Sequence, residues 1–203
     1  MGGTRWQRAD MSVEVLTGEA IRGAIPDIAA LRIAVFREFP YLYNGNLDYE
    51  RDYLAGFEAS PRSIVVIARA AGRIVGASTG MPLAEAESEW MVPFRERNLP
   101  VEHRFYCAES VLLEDWRGMG LGHAFFDARE RHARTIGMAR SCFCSVIRAD
   151  DHPDRPSDYR PNDAFWTKRG YAPLDGVVAR YRWRDTGEAR ESEKRLRFWE
   201  RGL

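Results

Sequence analysis

The spacing of apolar and polar positions along the chain predicts an alternation of helices and strands. A short strand is expected over 13–16, and a helix opens at Pro26 and closes at Pro40. The apolar side chains of that helix recur at helical spacing, at Ile28, Leu31, Val35 and Phe39. An aromatic turn over 41–46 leads into a weaker helical pattern over 47–57. The chain is therefore predicted to begin as strand, helix, turn and helix.

A β-hairpin is expected next, because two runs of β-branched and small residues flank a tight turn. The runs cover 63–70 and 73–79, and Ala71-Gly72 between them is typical of a hairpin turn. These runs predict two neighbouring antiparallel strands.

The segment 85–99 is acidic and aromatic, and Pro93 interrupts it. This pattern predicts an insertion of helix and loop. We expect its Trp90 and Phe94 to pack back onto the body of the protein, because large aromatic rings contribute most when they are buried.

The pattern is clearest in the second half of the chain. A strand over 103–113 is followed by a glycine-rich turn and by a helix whose apolar residues recur from 121 to 136, and Gly137 ends that helix. Another strand is expected over 140–147. Because a helix joins the two strands, we predict a right-handed parallel crossover.

The chain is predicted to end with a polar loop, a short helix and a pair of strands. The loop covers 149–161, the helix covers 162–169, and the strands cover 177–183 and 195–199 with a charged loop between them. No internal repeat is present in the sequence.

Composition is consistent with one domain. The chain has 203 residues, of which 45% are apolar and 30% charged, which is ordinary for a globular domain large enough to bury a core. We predict a flexible N-terminus over 1–10 and a single domain over 11–203.

Charge and cysteine content exclude several classes of protein. Lys+Arg and Asp+Glu both total 30, so the zero net charge gives no field that attracts nucleic acid or an anionic membrane. The three cysteines stand in apolar runs without metal-site spacing, which predicts reduced thiols and no metal.

The N-terminus lacks an apolar signal core, and no run of about 18 apolar residues occurs. We expect a cytoplasmic protein without nucleic-acid or membrane partners.

The turn before the second-half helix has the composition of an anion-binding loop. It reads Arg117-Gly118-Met119-Gly120-Leu121-Gly122. A glycine-rich turn at the positive end of a helix exposes backbone N–H groups that suit phosphate or pyrophosphate. A P-loop would need Lys-Ser/Thr where His123-Ala124 stands, and the dinucleotide fingerprint would need glycine at 123 or 125. Considered alone, the loop could also be a plain tight turn.

Two motifs in this order resemble those of one family. Arg117-x-x-Gly120-x-Gly122, between an apolar strand and an amphipathic helix, resembles the Arg/Gln-x-x-Gly-x-Gly/Ala motif of the GNAT superfamily of acyl-CoA-dependent N-acyltransferases. Asn162-x-x-Phe165-Trp166-x-x-Arg169-Gly170-Tyr171 is similar, with approximate spacing, to that family's Asn-x-x-Ala-x-x-Phe-Tyr-x-x-x-Gly-Phe segment. The order of elements resembles the family fold over nearly the whole chain, apart from 1–10 and 85–99.

The resemblance implies an α/β fold with a central twisted mixed sheet of six or seven strands, flanked by helices. The sheet would be splayed after the strand that ends at Leu113, and acyl-CoA would lie in the splay, with acetyl-CoA as the expected donor. The implied cofactor-binding residues are Leu112 and Leu113 for the pantetheine arm, Arg117, Gly118, Met119, Gly120, Leu121 and Gly122 for the pyrophosphate, and Asn162. The acceptor would be a primary amine of a small molecule or a protein.

The resemblance also implies direct attack of the amine on the thioester. Glu109, on the strand that should line the splay, is the candidate for removing the amine's proton, and its alternative is a structural or substrate-binding carboxylate. The family's frequent general acid is a tyrosine, but Trp166 holds that position. Tyr106, Tyr159 and Cys144 are the candidate substitutes, unless the thiolate leaves without an acid, as a thiol pKa near about 8.5 permits.

Other functions stay open on the sequence alone. A catalytically weak acyl-CoA-binding sensor or interaction module is the alternative that Trp166 favours, and a nucleotide-binding protein ranks last. The residues that could receive a cationic amine are Glu109, Asp150, Asp151 and Asp163, and those that could receive an anionic group are Arg148, Arg155 and Arg160. Edge strands near the C-terminus could pair two subunits into a homodimer.

Overall fold

The computed structural model of the chain describes residues 11–203, and the segment 1–10, predicted to be flexible, lies outside the described residues. The strands are β1 (Met11–Leu16), β2 (Ile64–Ala70), β3 (Arg73–Pro82), β4 (Arg104–Leu112), β5 (Arg140–Val146), β6 (Ala172–Trp183) and β7 (Ser192–Gly202). The helices are α1 (Ile25–Phe36), α2 (Leu47–Ala59), α3 (Ser88–Arg95), α4 (Leu121–Thr135) and α5 (Asp163–Lys168).

The strands form one mixed sheet in the order β1-β2-β3-β4-β5-β7-β6. Every neighbouring pair is antiparallel except β4 and β5, which the crossover through α4 makes parallel. The predicted mixed α/β sheet is confirmed, with seven strands in the described part of the chain.

Strands β4 and β5 part soon after they begin. Their pairing covers only Arg104–Tyr106 against Arg140–Cys142, although both strands continue beyond these residues. The rest of β4 is therefore paired with β3 on one side only, and a gap opens in the middle of the sheet.

A β-bulge in β4 changes which face its side chains occupy. Thr79 of β3 pairs with Glu109 and Met81 pairs with Tyr106, so three steps along β4 match two along β3. Without the extra residue, Tyr106 and Glu109 would lie on opposite faces. With it, both lie on the face that packs against α1, α2 and α3.

Helices cover both faces of the sheet. Alternate residues of β2 show this: Ile64 and Val66 belong to the core beneath α4, whereas Val65 and Ile67 belong to the core beneath α1 and α2. A third cluster packs α3 onto β5, β6 and β7, with Trp90 and Phe94 buried in it. The predicted return of the insertion onto the body is therefore confirmed.

Some boundaries differ from the sequence prediction. Helix α1 ends at Phe36, so Phe39 lies in the turn that follows. Phe39 directly precedes Pro40, and the residue before a proline is disfavoured in helical backbone for steric reasons. Strand β6 begins at Ala172 but breaks register between Pro173 and Val178, which explains why the sequence pattern shows only its second part.

The turn after α1 is tied to the far end of the sheet. Arg148, just past β5, donates to the backbone carbonyls of Pro40 and Tyr41 at 2.7 Å each and forms two hydrogen bonds with Asp185 at 2.7 and 3.0 Å. Lys194 completes the buried network at 3.2 Å from Asp185. Arg148 thus has a structural role, although the sequence left it open as a receptor for an anion.

Among the described residues, no helix is both long and apolar enough to cross a bilayer. Within the same part of the chain, no group of three or more His, Cys, Asp and Glu side chains is arranged to hold a metal ion.

Candidate functional site

The loop between β4 and α4 forms an uncapped helix N-terminus. Gly118 and Gly120 have φ values of +75° and +88°, a backbone conformation that favours glycine. Gly120 is the N-cap of α4, and no side chain accepts a hydrogen bond from the first N–H groups of the helix. These groups and the positive end of the helix dipole are therefore free to bind an anion.

The space above the loop is open. A Cβ atom built on Gly118 or Gly120 would meet no other atom within 4 Å, and one on Gly122 would meet only the Phe165 ring, at 3.5 Å. A ligand can therefore approach the backbone of the loop closely, and Phe165 of α5 borders that approach.

The arginine of the glycine motif is directed back toward the protein. Arg117 donates from Nε to the Leu112 carbonyl at 3.1 Å and pairs through Nη2 with Glu38 at 2.6 Å. Both members of this ion pair are about two-fifths exposed, so the pair is screened by solvent and can exchange for a bound anion.

The edge of β4 that faces the gap exposes backbone groups. The Leu113 amide donates to Val75 of β3 at 3.0 Å, and its carbonyl accepts from Trp116 at 3.0 Å, so both backbone groups of Leu113 have internal partners. Because peptide groups alternate in direction along a strand, those of Leu112 and Ser110 face the gap left by β5. The Leu112 carbonyl is shared with Arg117, as described above.

Glu109 lies in a buried polar cluster between β4, α1 and α2. Its Oε1 is 2.6 Å from Nη1 of Arg32, and its Oε2 accepts a hydrogen bond from the Tyr53 hydroxyl at 3.0 Å. Arg32 also pairs with Glu50, and its guanidinium lies 4.3 Å from the centre of the Tyr53 ring. The exposed fractions of the Arg32, Glu50 and Glu109 side chains are 8%, 0% and 6%. Two carboxyl groups therefore share one guanidinium inside the protein.

The electrostatics of this cluster hold its donors protonated. Burial acts to lower the pKa of Arg32, but the neighbouring charges, Glu109 foremost, outweigh it and raise that pKa well above its ordinary value. Burial and the charge of Glu109 likewise raise the pKa of Tyr53. Arg32 and Tyr53 thus fix the orientation of the Glu109 carboxylate.

On the opposite face, Arg129 of α4 binds the bulge of β4. Its Nη1 donates to the carbonyls of Glu109 and Thr79 at 2.8 and 3.1 Å, and its Nη2 donates to Ser110 Oγ at 2.8 Å. The residue is 1% exposed. Arg129 thus holds the backbone of Glu109 and Ser110 at the point where the sheet opens.

Tyr106 and Cys144, two candidate acids, meet across the start of the gap. The Tyr106 hydroxyl is 3.4 Å from the Cys144 sulfur. Burial raises the pKa of Tyr106 well above its ordinary value and raises that of Cys144 to about 12. Both groups are therefore weaker acids than they would be in water.

The remaining predicted residues lie at the loop and helix beside the site. Tyr159 packs edge-on against Phe39, with ring centres 4.7 Å apart. Asn162 is the exposed N-cap of α5, and Trp166 packs between Phe143 and Trp199 with ring centres 4.9 and 5.2 Å away. Trp166 therefore serves the core at the position where the family motif has its tyrosine.

Arg32, Tyr53 and Arg129 were missed by the sequence prediction. A signal for two of them was present, because Arg32 follows Ile28 and Arg129 follows Phe125 by one helical turn on a buried face. A charged residue at an apolar position of a helix indicates that its side chain is buried and forms an ion pair or hydrogen bonds with backbone carbonyls. Tyr53 gave no comparable signal, since an aromatic residue is ordinary at such a position.

Comparison with known proteins identifies the fold. No family model matches the sequence, and no curated protein matches it. Solved structures do match. A ribosomal-protein-alanine N-acetyltransferase from Brucella melitensis aligns with a TM-score of 0.61 and 14% identity, over 95% of this chain and 99% of its own.

Two further structures give the same result. A protein from Desulfovibrio desulfuricans assigned to the GNAT family of acetyltransferases aligns with a TM-score of 0.57 and 12% identity, over 95% of this chain and 98% of its own. A Salmonella typhimurium protein assigned as an acetyltransferase was solved with its cofactor acetyl-CoA. It aligns with a TM-score of 0.62 and 12% identity, over 96% of this chain and 94% of its own. The chain has the GNAT acetyltransferase fold.

Proposed function

We propose that the protein is an N-acetyltransferase that transfers an acetyl group from acetyl-CoA to a primary amine of its acceptor by direct attack. The observation that carries the proposal is the uncapped N-terminus of α4 beside the gap between β4 and β5. The fold and the acetyl-CoA named with the Salmonella typhimurium structure support the choice of donor.

The residues of the loop fit this donor. Acetyl-CoA supplies an activated acyl group and a pyrophosphate that needs several N–H donors and close backbone approach. The loop from Gly118 to Gly122 offers both, because its N–H groups are uncapped and the space at Gly118 and Gly120 is open. Arg117 would leave Glu38 to face the pyrophosphate, and Leu112, Leu113 and Asn162 would border the rest of the molecule.

Glu109 is our candidate for accepting the proton of the attacking amine. The amine nitrogen forms a bond to the acetyl carbon while the bond from that carbon to sulfur breaks, and the nitrogen must lose a proton. Arg32 and Tyr53 hold the Glu109 carboxylate in place, and Arg129 holds its backbone. A general base is effective only when it is held within reach of the proton that it accepts, and these contacts hold Glu109 in one position.

Among residues 11–203, no candidate acid is well suited to protonate the departing thiolate. Burial raises the pKa values of all three candidate acids, Tyr106, Tyr159 and Cys144, and so makes proton donation by them unfavourable. A thiol with an ordinary pKa of about 8.5 is a good leaving group without assistance. We therefore infer that the thiolate leaves unaided and takes its proton from solvent.

The test is release of free thiol from acetyl-CoA in the presence of a panel of primary amines. The Glu109→Gln variant should reduce turnover at neutral pH by about a hundredfold, within the usual range for a general base. Its CoA affinity should stay unchanged, and its rate should recover as rising pH deprotonates the amine. Wild-type turnover by the variant would remove Glu109 from the mechanism.

The same assay addresses the alternative of an acyl-CoA-binding sensor, which Trp166 at the usual tyrosine position favours. A sensor would bind CoA yet release no thiol with any amine of the panel. Thiol release that depends on the amine would exclude it.

A further inference from the structure

A cavity of about 150 Å³ lies against the face of the sheet that carries Glu109. It is partly open to solvent and is lined by helices α2 and α3, by strands β3 and β4, and by the segment between β3 and α3. Its walls include the aromatic side chains of Tyr53, Trp90 and Tyr106, and its other functional groups are the carboxylates of Asp52, Glu85 and Glu87. None of the described residues that line it is basic.

The cavity carries uncompensated negative charge. Glu85 is neutralised, because Arg62 donates to it from Nε at 2.7 Å. Asp52 and Glu87 have no basic partner within ion-pairing distance among residues 11–203. Behind Tyr53 lies the cluster in which two carboxyl groups share one guanidinium, which adds to the negative potential.

Glu87 is held in place at this cavity. Its Oε2 accepts a hydrogen bond from the Tyr181 hydroxyl at 3.1 Å. Tyr181 is itself fixed by a hydroxyl contact of 2.6 Å with Tyr49 and by stacking on Trp90 at 4.9 Å with an interplanar angle of 9°. A carboxylate fixed beside aromatic faces is suited to an organic cation, which gains from both the charge and the ring quadrupoles.

Two walls of the cavity also contact the proposed reaction centre. The Tyr53 hydroxyl binds Glu109, and the Tyr106 hydroxyl contacts Cys144 where β4 and β5 part. The cavity therefore adjoins the proposed reaction centre, with Tyr53 and Tyr106 between the two.

We propose that the cavity binds a second positively charged group of the acceptor, so that the acceptor is an aliphatic diamine or a longer chain of the same kind. This inference rests on the proposed acetyl transfer at the gap between β4 and β5. One ammonium group lies against Asp52 and Glu87, the carbon chain lies along the aromatic walls, and the other nitrogen, once deprotonated, attacks the acetyl group.

The first test is binding, which does not depend on turnover. Calorimetry with the full chain compares three probes of equal chain length: the diamine putrescine, the monoamine butylamine and the amino acid γ-aminobutyrate. Putrescine should bind at least about tenfold more tightly than butylamine, as one charge-assisted contact provides, and γ-aminobutyrate should bind most weakly. Equal affinity for all three, or preference for γ-aminobutyrate, would overturn the proposal.

Variants locate the site. Glu87→Gln and Asp52→Asn should each weaken putrescine binding by about tenfold. Glu89→Gln is the matched control, since Glu89 is an exposed carboxylate in the first turn of α3, two residues after Glu87, that does not line the cavity. Unchanged putrescine affinity in both cavity variants would show that the cation binds elsewhere.

Acetyl transfer separates this proposal from the proposed function. If butylamine or γ-aminobutyrate supports thiol release as well as putrescine does, the acetyltransferase stands and the diamine site fails. If putrescine binds through Glu87 without any thiol release, the cavity stands and the proposed reaction fails.

Discussion

Arg32 is a charged residue on the buried face of α1, and its position is the clearest electrostatic feature of the site. It contacts Glu109 and Glu50 and lies over the Tyr53 ring. Removing one member of a buried ion pair leaves its partner charged and unpaired, which costs far more than the pair contributes in net terms.

Arg32→Met should therefore lower the free energy of unfolding by about 3–5 kcal/mol, because two buried carboxyl groups would lose their common partner. Urea unfolding at neutral pH measures this. Arg180→Met is the control, since Arg180 and Glu193 pair with exposed fractions of 68% and 43%. The control should cost less than about 1 kcal/mol. A similar small loss for Arg32→Met would show that the buried pair is not needed.

At the scale of elements, the proposed anion site lies at the N-terminus of α4. A glycine with similar backbone geometry lies just past the C-terminus of the same helix and offers a position for a control substitution. Gly120 and Gly137 flank the helix, have φ values of +88° and +80°, and leave open space where a Cβ would be added. Substitution at either position strains the backbone in the same way, without a collision with neighbouring atoms.

Gly120→Val and Gly137→Val should each cost about 1–2 kcal/mol of stability, the usual penalty for left-handed backbone outside glycine. Only Gly120→Val should abolish CoA binding, because only that loop is proposed to hold the pyrophosphate. Thermal unfolding and calorimetry with CoA measure the two effects. Equal CoA affinity in both variants would mean that the loop is only a turn.

The sequence predicts these elements well because each rests on a local signal. Gly118, Gly120 and the helix after them are contiguous, so periodicity and glycine placement are sufficient to locate the loop. The cluster around Glu109 could not be predicted in the same way, since Tyr53 and Glu109 stand 56 residues apart and meet only after α2 packs on the sheet. The bulge that puts Tyr106 and Glu109 on one face also breaks the period of two on which strand prediction depends.

For the whole molecule, the burial of three thiols predicts that the free energy of unfolding falls at alkaline pH. Burial raises the pKa of Cys107 and of Cys142 and raises that of Cys144 to about 12. Raised pKa values in the folded state favour folding below the unfolded pKa of about 8.5, and this contribution falls as pH rises above it. For Cys144 the loss is about 1.4 kcal/mol at one pH unit above that value, and Cys107 and Cys142 add to it in the same direction.

Urea unfolding under reducing conditions, between neutral pH and about one unit above the ordinary thiol pKa, measures this fall. Cys142→Ala should show a shallower fall than the wild type, because one of the three titrating groups is absent. Unchanged stability across the range would mean that the thiols ionise as readily in the folded protein as in the unfolded chain.

At the scale of the whole molecule, the sheet opens between β4 and β5, and we propose that CoA binds there with its pyrophosphate at the N-terminus of α4. Calorimetric titration of the full chain with CoA, alongside ATP and NAD, tests this most directly. We predict saturable binding of CoA well below millimolar concentration, with a rise in melting temperature that grows with CoA concentration. Absence of binding at millimolar CoA, together with clear binding of ATP or NAD, would contradict the account.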